Sequence, residues 1–309
     1  MRLLIVGAGA TGGYFGGRLA QAGRDVTFLV RAARAAQLRA EGLQILSPHG
    51  NAKLTPRIVT ADALEGAYDA VLVTVKGFAL DTALVDVASA VGPGTMIVPV
   101  LNGLRHIDVL QARFGEQPVL GGVCLVATQI DGQGRIVQLA EMQELVYGEL
   151  SGAASDRVAA LDETMQGAGF KARASSQIRQ EMWEKWVFLA TLGGITCLMR
   201  GTIGDIAAAP GGREMALQLL AECGAVAAAS GHPPGDAFLA RASAAVTATG
   251  SALASSMFRD LQQGRPVEVE QILGDLLARA AMLGVATPVL VSAVVHLSIY
   301  QAKQLASRA

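Results

Sequence analysis

"LLIVGAGATGGYFGGRLAQAG", residues 3–23, decides the fold of the N-terminal half. Leu3–Gly7 is an unbroken apolar run, the pattern of a strand buried on both faces. Gly12–Ala22 is predicted to be a helix, stopped by Gly23. Between them Gly7, Gly9 and Gly12 form a GxGxxG motif. Such glycines permit a tight turn and let the backbone approach a pyrophosphate, while the helix N-terminus offers unpaired N–H groups to the phosphates. Placed between strand and helix, the motif predicts dinucleotide binding by Gly7, Ala8, Gly9, Ala10, Thr11 and Gly12. The competing interpretation is a packing turn made of small residues.

The alternation continues outward. Asp25–Val30, Ala70–Val75 and Met96–Leu101 read as further strands, and Leu80–Ala90 as a helix stopped by "GPG". Leu43–Leu46 and Ala52–Thr55 flank "SPHGN" as a hairpin-like pair. Val119–Gln129, Ile136–Leu139 and Leu145–Tyr147 read as strands of a mixed or antiparallel region. Parallel βαβ alternation predicts an open α/β sheet of Rossmann type, covered on both faces. After about Ser175 apolar residues recur at helical spacing, with breaks at "APGG", "GHPPG" and "QQGRP". The expected organisation is an α/β domain over residues 1–174 and an all-helical domain over residues 175–309.

Strand ends carry the chemistry in such a sheet. The second strand ends in Arg31, with Arg34 soon after and no acid. An NAD site usually has Asp or Glu there for the ribose hydroxyls, whereas a guanidinium suits a 2′-phosphate. The expected cofactor is therefore NADPH/NADP+, against the alternative of an ordinary solvated arginine. Lys76 closes "AVLVTVK" and Asn102 follows "MIVPVL". Each alone is as well explained by a charged strand end or an Asn-Gly turn; together, at one edge of one sheet, they point to the cofactor.

The 309 residues are half apolar and 17% charged, with 25 basic and 26 acidic side chains. This balance gives no electrostatic case for nucleic acid or an anionic membrane. Cys124, Cys197 and Cys223 lie far apart, as buried thiols of a reducing compartment do. The four histidines are scattered, so no metal spacing appears. A cytoplasmic protein is expected. Lysine is rare, with five in the chain. One of them, Lys185 in "EMWEKW", precedes fourteen uncharged residues, Trp186–Met199, a run too short for the roughly 20 that span a bilayer. An ammonium there can stabilise an alkoxide and supply a proton, with Trp183, Trp186 and the uncharged run expected to desolvate it. The bland alternative is a snorkelling helix lysine.

At these residues the chain resembles the ketopantoate reductase (2-dehydropantoate 2-reductase) family, over essentially its whole length. The resemblance rests on the GxGxxG near residue 7, Arg31, Lys76 in "VTVK", Asn102 in "LNG" and Lys185 in "EMWEKW". It continues with Ser256 in "SSM" and Glu268 in "VEVE". It implies a C-terminal domain like that of 6-phosphogluconate dehydrogenase, and NADPH-dependent reduction of 2-dehydropantoate to pantoate. It further implies Lys185 as general acid and Glu268 as hydrogen-bond partner of substrate and lysine. Ser256 would hold the substrate carboxylate, Asn102 would lie between nicotinamide and substrate, and Lys76 near the cofactor.

Four positions depart from the family pattern. Leu189, Gly193, Ile203 and Leu253 stand where its best-known members carry asparagines. Three functions therefore remain open: reduction of 2-dehydropantoate, reduction of another branched 2-oxo acid by the same Lys/Glu pair, and nucleotide binding without catalysis. The helical domain is apolar enough to offer a homodimer interface, but no heptad marks one.

Overall fold

The computed structural model describes residues 1–306; residues 307–309, assigned above to the helical domain, lie outside the described residues. The chain divides into two compact units. One comprises Met1–Leu101 and His106–Arg179; the other comprises Asn102–Arg105 and the chain from Gln180 onward. The four-residue segment carrying Asn102 thus belongs with the helices, although it follows a strand of the α/β unit.

In the α/β unit the elements run β1 (Arg2–Val6), α1 (Ala10–Gln21), β2 (Asp25–Leu29), α2 (Ala32–Glu41), β3 (Leu43–Leu46), β4 (Ala52–Leu54) and β5 (Arg57–Val59). They continue with β6 (Ala70–Val73), α3 (Leu80–Asp86), β7 (Met96–Pro99), α4 (Arg105–Phe114), β8 (Leu120–Ile130), β9 (Ile136–Glu149), α5 (Asp156–Met165) and β10 (Lys171–Ala174). The first sheet has the order β5-β2-β1-β6-β7 and is parallel throughout. Strand order reverses about β1, which creates the crevice where open α/β sheets bind ligands. The second sheet has the order β10-β9-β3-β4, with β8 antiparallel to β9. Val73, Val98 and Leu4 are all but inaccessible, as expected of strands covered on both faces.

The motif "GGYFGG" acquires a packing reason here. Helix α1 touches strands of both sheets. A Cβ on Gly12 would meet Thr74, just past β6, and one on Gly16 the first sheet's Phe28 and Ile5; one on Gly13 or Gly17 would meet the second sheet's Ile136, or Leu43 and Ile45. Two glycine stripes spaced four residues apart therefore let one helix lie close against a sheet on each side.

Two readings made from the sequence change. Ile136–Leu139 and Leu145–Tyr147 are one continuous strand, β9. Its middle, Leu139–Met142, is exposed and bulges out of the ladder: the register with β8 jumps from Val126↔Gln143 to Thr128↔Gln138, which interrupts the apolar alternation. Helices α2, α4 and α5 and the short strands β5 and β10 were not legible; α2 and α5 bury few side chains each.

The second unit is helical: α6 (Ile178–Met199), α7 (Ile203–Ala208), α8 (Gly212–Ala229), α9 (Asp236–Val246), α10 (Ser256–Gln262), α11 (Asp275–Leu283) and α12 (Pro288–Ala306). A π-turn, Glu270–Gly274, leads into α11. The buried Glu222 of α8 accepts the Val289 and Leu290 N–H groups at 3.1 and 2.9 Å, capping α12 with a charge that favours its N-terminus. No described helix is long and apolar enough to cross a membrane.

Candidate active site

The parallel order places three sequence-predicted residues or motifs at one edge of the first sheet. Gly7–Gly12 follows β1, Arg31 follows its neighbour β2, and Lys76 follows its other neighbour β6. Gly7 has φ +98°, a conformation that glycine adopts without penalty. A Cβ on Gly12 would stand 2.1 Å from Thr74 Oγ1 and 2.2 Å from the Gly7 carbonyl oxygen, so a glycine is required there by close packing. Gly9, the residue before α1, is different: a Cβ there meets nothing within 4 Å. The backbone at Gly9 is open to an approaching group, at a helix N-terminus suited to phosphate.

The two arginines beyond β2 divide. Arg34 is spent within the fold: Nε donates to the Ala8 carbonyl at 3.1 Å, and Nη1 donates to Gln37 Oε1 at 2.7 Å and to the Gly134 carbonyl at 3.0 Å. Burial pulls its guanidinium pKa down. It ties the glycine turn to the β8–β9 hairpin, a role not foreseen from sequence. Arg31 stays exposed at the start of α2. Lys76 is exposed as well, with its Nζ 5.9 Å from the Phe78 ring centroid.

Asn102, Lys185, Ser256 and Glu268 all fall in the helical unit. Lys185 is half-buried on α6, and with about 3.6 residues per turn it shares a stripe with Leu189 and Gly193. The tryptophans beside it in sequence turn to another face. Their rings lie 5.0 Å apart; the His232 ring stacks on Trp183, and the Arg279 guanidinium sits 5.8 and 5.5 Å from the two ring centroids. The cation over this indole pair is Arg279, a partner that adjacency to Lys185 in sequence did not reveal.

The two serines of "SSM" separate in the same way. Ser255 is buried; its Oγ accepts the Phe258 N–H at 2.9 Å, capping α10, and lies 3.0 Å from Thr196 Oγ1. Ser256, the first residue of α10, is exposed. Glu268 is buried just before the π-turn, its backbone carbonyl accepting the Ile272 N–H at 3.1 Å. Asn102 reaches the same turn through its neighbour: Gly103 has φ +78°, and a Cβ on it would stand 2.0 Å from the Gln271 carbonyl oxygen.

Leu189 and Gly193 continue the Lys185 stripe of α6 without a polar group. A Cβ on Gly193 would come 2.8 Å from the Met257 methyl carbon, so a buried thioether fills that space. Ile203 donates its N–H to the Leu253 carbonyl at 2.9 Å, which sets these two positions side by side. Met257, the residue that fills the gap, carried no signal in the sequence beyond its apolarity. Burial raises the thiol pKa values of Cys197 and Cys223 to about 12. Among the described residues no group of three His, Cys, Asp or Glu side chains could hold a metal.

A Rossmann-type parallel sheet with an all-helical companion is thus the build of the chain. Residues 3–152 match the family model described as ketopantoate reductase PanE/ApbA, and residues 177–301 match its C-terminal model. The chain belongs to the ketopantoate reductase family of oxidoreductases. It is 36% identical to an uncharacterized oxidoreductase, YkpB, of Bacillus subtilis (strain 168), over 98% of this chain and all of that one. It is 30% identical to a 2-dehydropantoate 2-reductase of Mesorhizobium japonicum, covering 93% and 94% of the two chains. Among solved structures it resembles a 2-dehydropantoate 2-reductase from Geobacter metallireducens GS-15, with TM-score 0.86, 28% identity and coverage of 96% and 99%.

Proposed function

We propose that this chain reduces a 2-oxo acid with NADPH, and that 2-dehydropantoate, reduced to (R)-pantoate on the route to pantothenate and coenzyme A, is its substrate. NADPH supplies hydride. Gly7, Ala8, Gly9, Ala10, Thr11 and Gly12 hold the pyrophosphate, Arg31 the 2′-phosphate, and Lys76 and Asn102 the remainder of the cofactor. The Lys185 ammonium donates a proton to the carbonyl oxygen and stabilises the negative charge that develops there. Glu268 accepts hydrogen bonds from the substrate hydroxyl and from the lysine. Ser256 donates its hydroxyl to the substrate carboxylate, and Asn102 orients the ketone. The observation that supports this most is the meeting of the Asn102–Gly103 segment with the π-turn that follows Glu268, in the unit that also carries Lys185. The open backbone at Gly9 and the exposed Arg31 fit a phosphorylated dinucleotide.

A second substrate reading is favoured by the apolar residues at the four departing positions. Leu189, Met257 against Gly193, Ile203 and Leu253 offer no side-chain partner to a substrate hydroxyl. Leaving such a hydroxyl without a partner costs about 1–3 kcal/mol. This suits a branched 2-oxo acid with a hydrocarbon tail.

NADPH oxidation with 2-dehydropantoate and with branched 2-oxo acids lacking the hydroxyl tests both. Lys185→Ala is expected to lower kcat by about 100- to 10,000-fold, the usual contribution of a general acid. Turnover that survives this substitution refutes the assignment of Lys185. A kcat/KM tenfold higher for a hydroxyl-free acid selects the second substrate. NADPH binding without turnover of any acid leaves a nucleotide-binding protein.

A further inference from the structure

The π-turn at Glu270–Gly274 is used by three elements at once. Its own i→i+5 bond, from the Asp275 N–H to the Glu270 carbonyl, marks it as π rather than α. The Trp186 indole N–H, on the helix that carries Lys185, donates to the Ile272 carbonyl at 2.8 Å in a buried bond. The Ile272 N–H donates to the Glu268 carbonyl at 3.1 Å. The Gln271 carbonyl faces Gly103, so close that a Cβ there would stand 2.0 Å away. Three successive connections therefore meet within two residues, Gln271 and Ile272.

We propose that this π-turn is a gauge, and that Trp186 is a positioning residue: its indole N–H on Ile272 fixes the distance between Lys185 on α6 and Glu268 beside the turn, while Gly103 seats Asn102 on the same turn. The inference rests on Lys185 and Glu268 acting as proposed above, and adds what holds them in register. Lys185 and Trp186 are consecutive on one helix, so a shift of the indole carries the ammonium with it. Glu268 and Ile272 are one backbone hydrogen bond apart, so a shift of the turn carries the carboxylate. The i→i+5 bond at the Glu270 carbonyl interrupts the regular i→i+4 ladder next to Ile272, and such turns concentrate at functional sites. Trp186 is essentially inaccessible, so the bond forms without competition from water.

Trp183 supplies a matched control. It is the other member of the indole pair and is buried too, but its ring packs on rings and a guanidinium. In Trp186→Phe the ring is kept and the N–H is lost. Its kcat is expected to fall about tenfold with the KM for NADPH unchanged, and the pH profile of kcat is expected to move, because the separation of an ammonium and a carboxylate sets their mutual influence. Trp183→Phe is expected to keep the wild-type kcat and pH profile. Should Trp186→Phe fold poorly, 3-benzothienylalanine at position 186 removes the N–H with the shape retained, and the same kcat loss is expected. A wild-type kcat and pH profile in the N–H-deficient variants overturns the proposal. So does an equal loss in Trp183→Phe, which would reduce the indole to packing. Lys185→Ala measured in parallel separates the levels. If that variant keeps turnover, the assignment of Lys185 fails. If it is inactive while Trp186→Phe is unchanged, only the gauge fails.

Discussion

Adding one methyl group at Gly12 and one at Gly9 should break two different properties. At Gly12 the new Cβ stands 2.1 Å from Thr74 Oγ1 and 2.2 Å from the Gly7 carbonyl oxygen, about 1 Å inside any tolerated contact. Thr74 cannot yield freely, because Oγ1 donates to the Val6 and Gly7 carbonyls at 2.8 and 3.1 Å. Overpacking of this kind costs about 1–3 kcal/mol. Loss of the threonine's hydrogen bonding adds about 0.5–1.5 kcal/mol. A total of about 1.5–4.5 kcal/mol lowers Tm by roughly 3–18 °C for a unit of this size. Gly9→Ala meets nothing within 4 Å and has φ −80°, so its Tm should match wild type. Its methyl would instead occupy the space open to a pyrophosphate, and NADPH affinity should fall by tenfold or more. Thermal unfolding without cofactor and NADPH titration by fluorescence quenching measure the two effects separately. A wild-type Tm for Gly12→Ala, or wild-type NADPH affinity for Gly9→Ala, refutes this division of labour between the glycines.

Arg31→Ala should weaken NADPH binding by about tenfold or more and leave NADH binding within twofold, since a charge-assisted bond to phosphate contributes about 1.5–3 kcal/mol; equal losses for both nucleotides would remove the argument for the 2′-phosphate. Glu149 accepts from Arg157 Nε and Nη2 at 2.7 and 2.6 Å and from Ser155 Oγ at 2.6 Å. The Arg157 hydrogen bonds lead in holding its carboxyl below the ordinary carboxylate range, against the opposing effect of burial. A depressed folded-state pKa stabilises above the unfolded value of about 4.3 and is lost as pH falls through the folded value. Glu149→Gln should therefore cost about 1.5–3 kcal/mol near neutral pH by denaturant unfolding, with the gap to wild type closing below about pH 4. Thiol titration of the native protein should find Cys124 first, because Cys197 and Cys223 are fully buried and burial pushes their thiols up to about 12. All three should react in denaturant, and rapid native reaction at Cys223 would contradict the packing of α8.

The candidate residues of the two units were legible to different depths. The glycine turn was readable because strand, turn and helix are contiguous, and backbone conformation at Gly7 and Gly12 is a local demand. Arg31 and Arg34 were indistinguishable by position. Hydrogen bonds from Arg34 to Ala8 and Gly134 commit it to the fold, and one of those partners lies 100 residues away. Adjacency to Lys185 in sequence does not reveal the partners of Trp183 and Trp186. On a helix they face elsewhere, toward Arg279 and Ile272.

By itself the sequence determined the parallel sheet, the helical second half and the family, since apolar periodicity and local glycine chemistry act over a few residues. Tertiary structure alone decided which neighbour does which work. It set the reason for the paired glycines of α1, the cap at Ser255 and the exposure of Ser256. It also set the methionine that fills the gap at Gly193 and the π-turn shared by Trp186, Gly103 and Glu268. The Ser255 cap apart, these depend on contacts between residues remote in sequence, and which atoms meet there depends on helix phase and close packing rather than on composition.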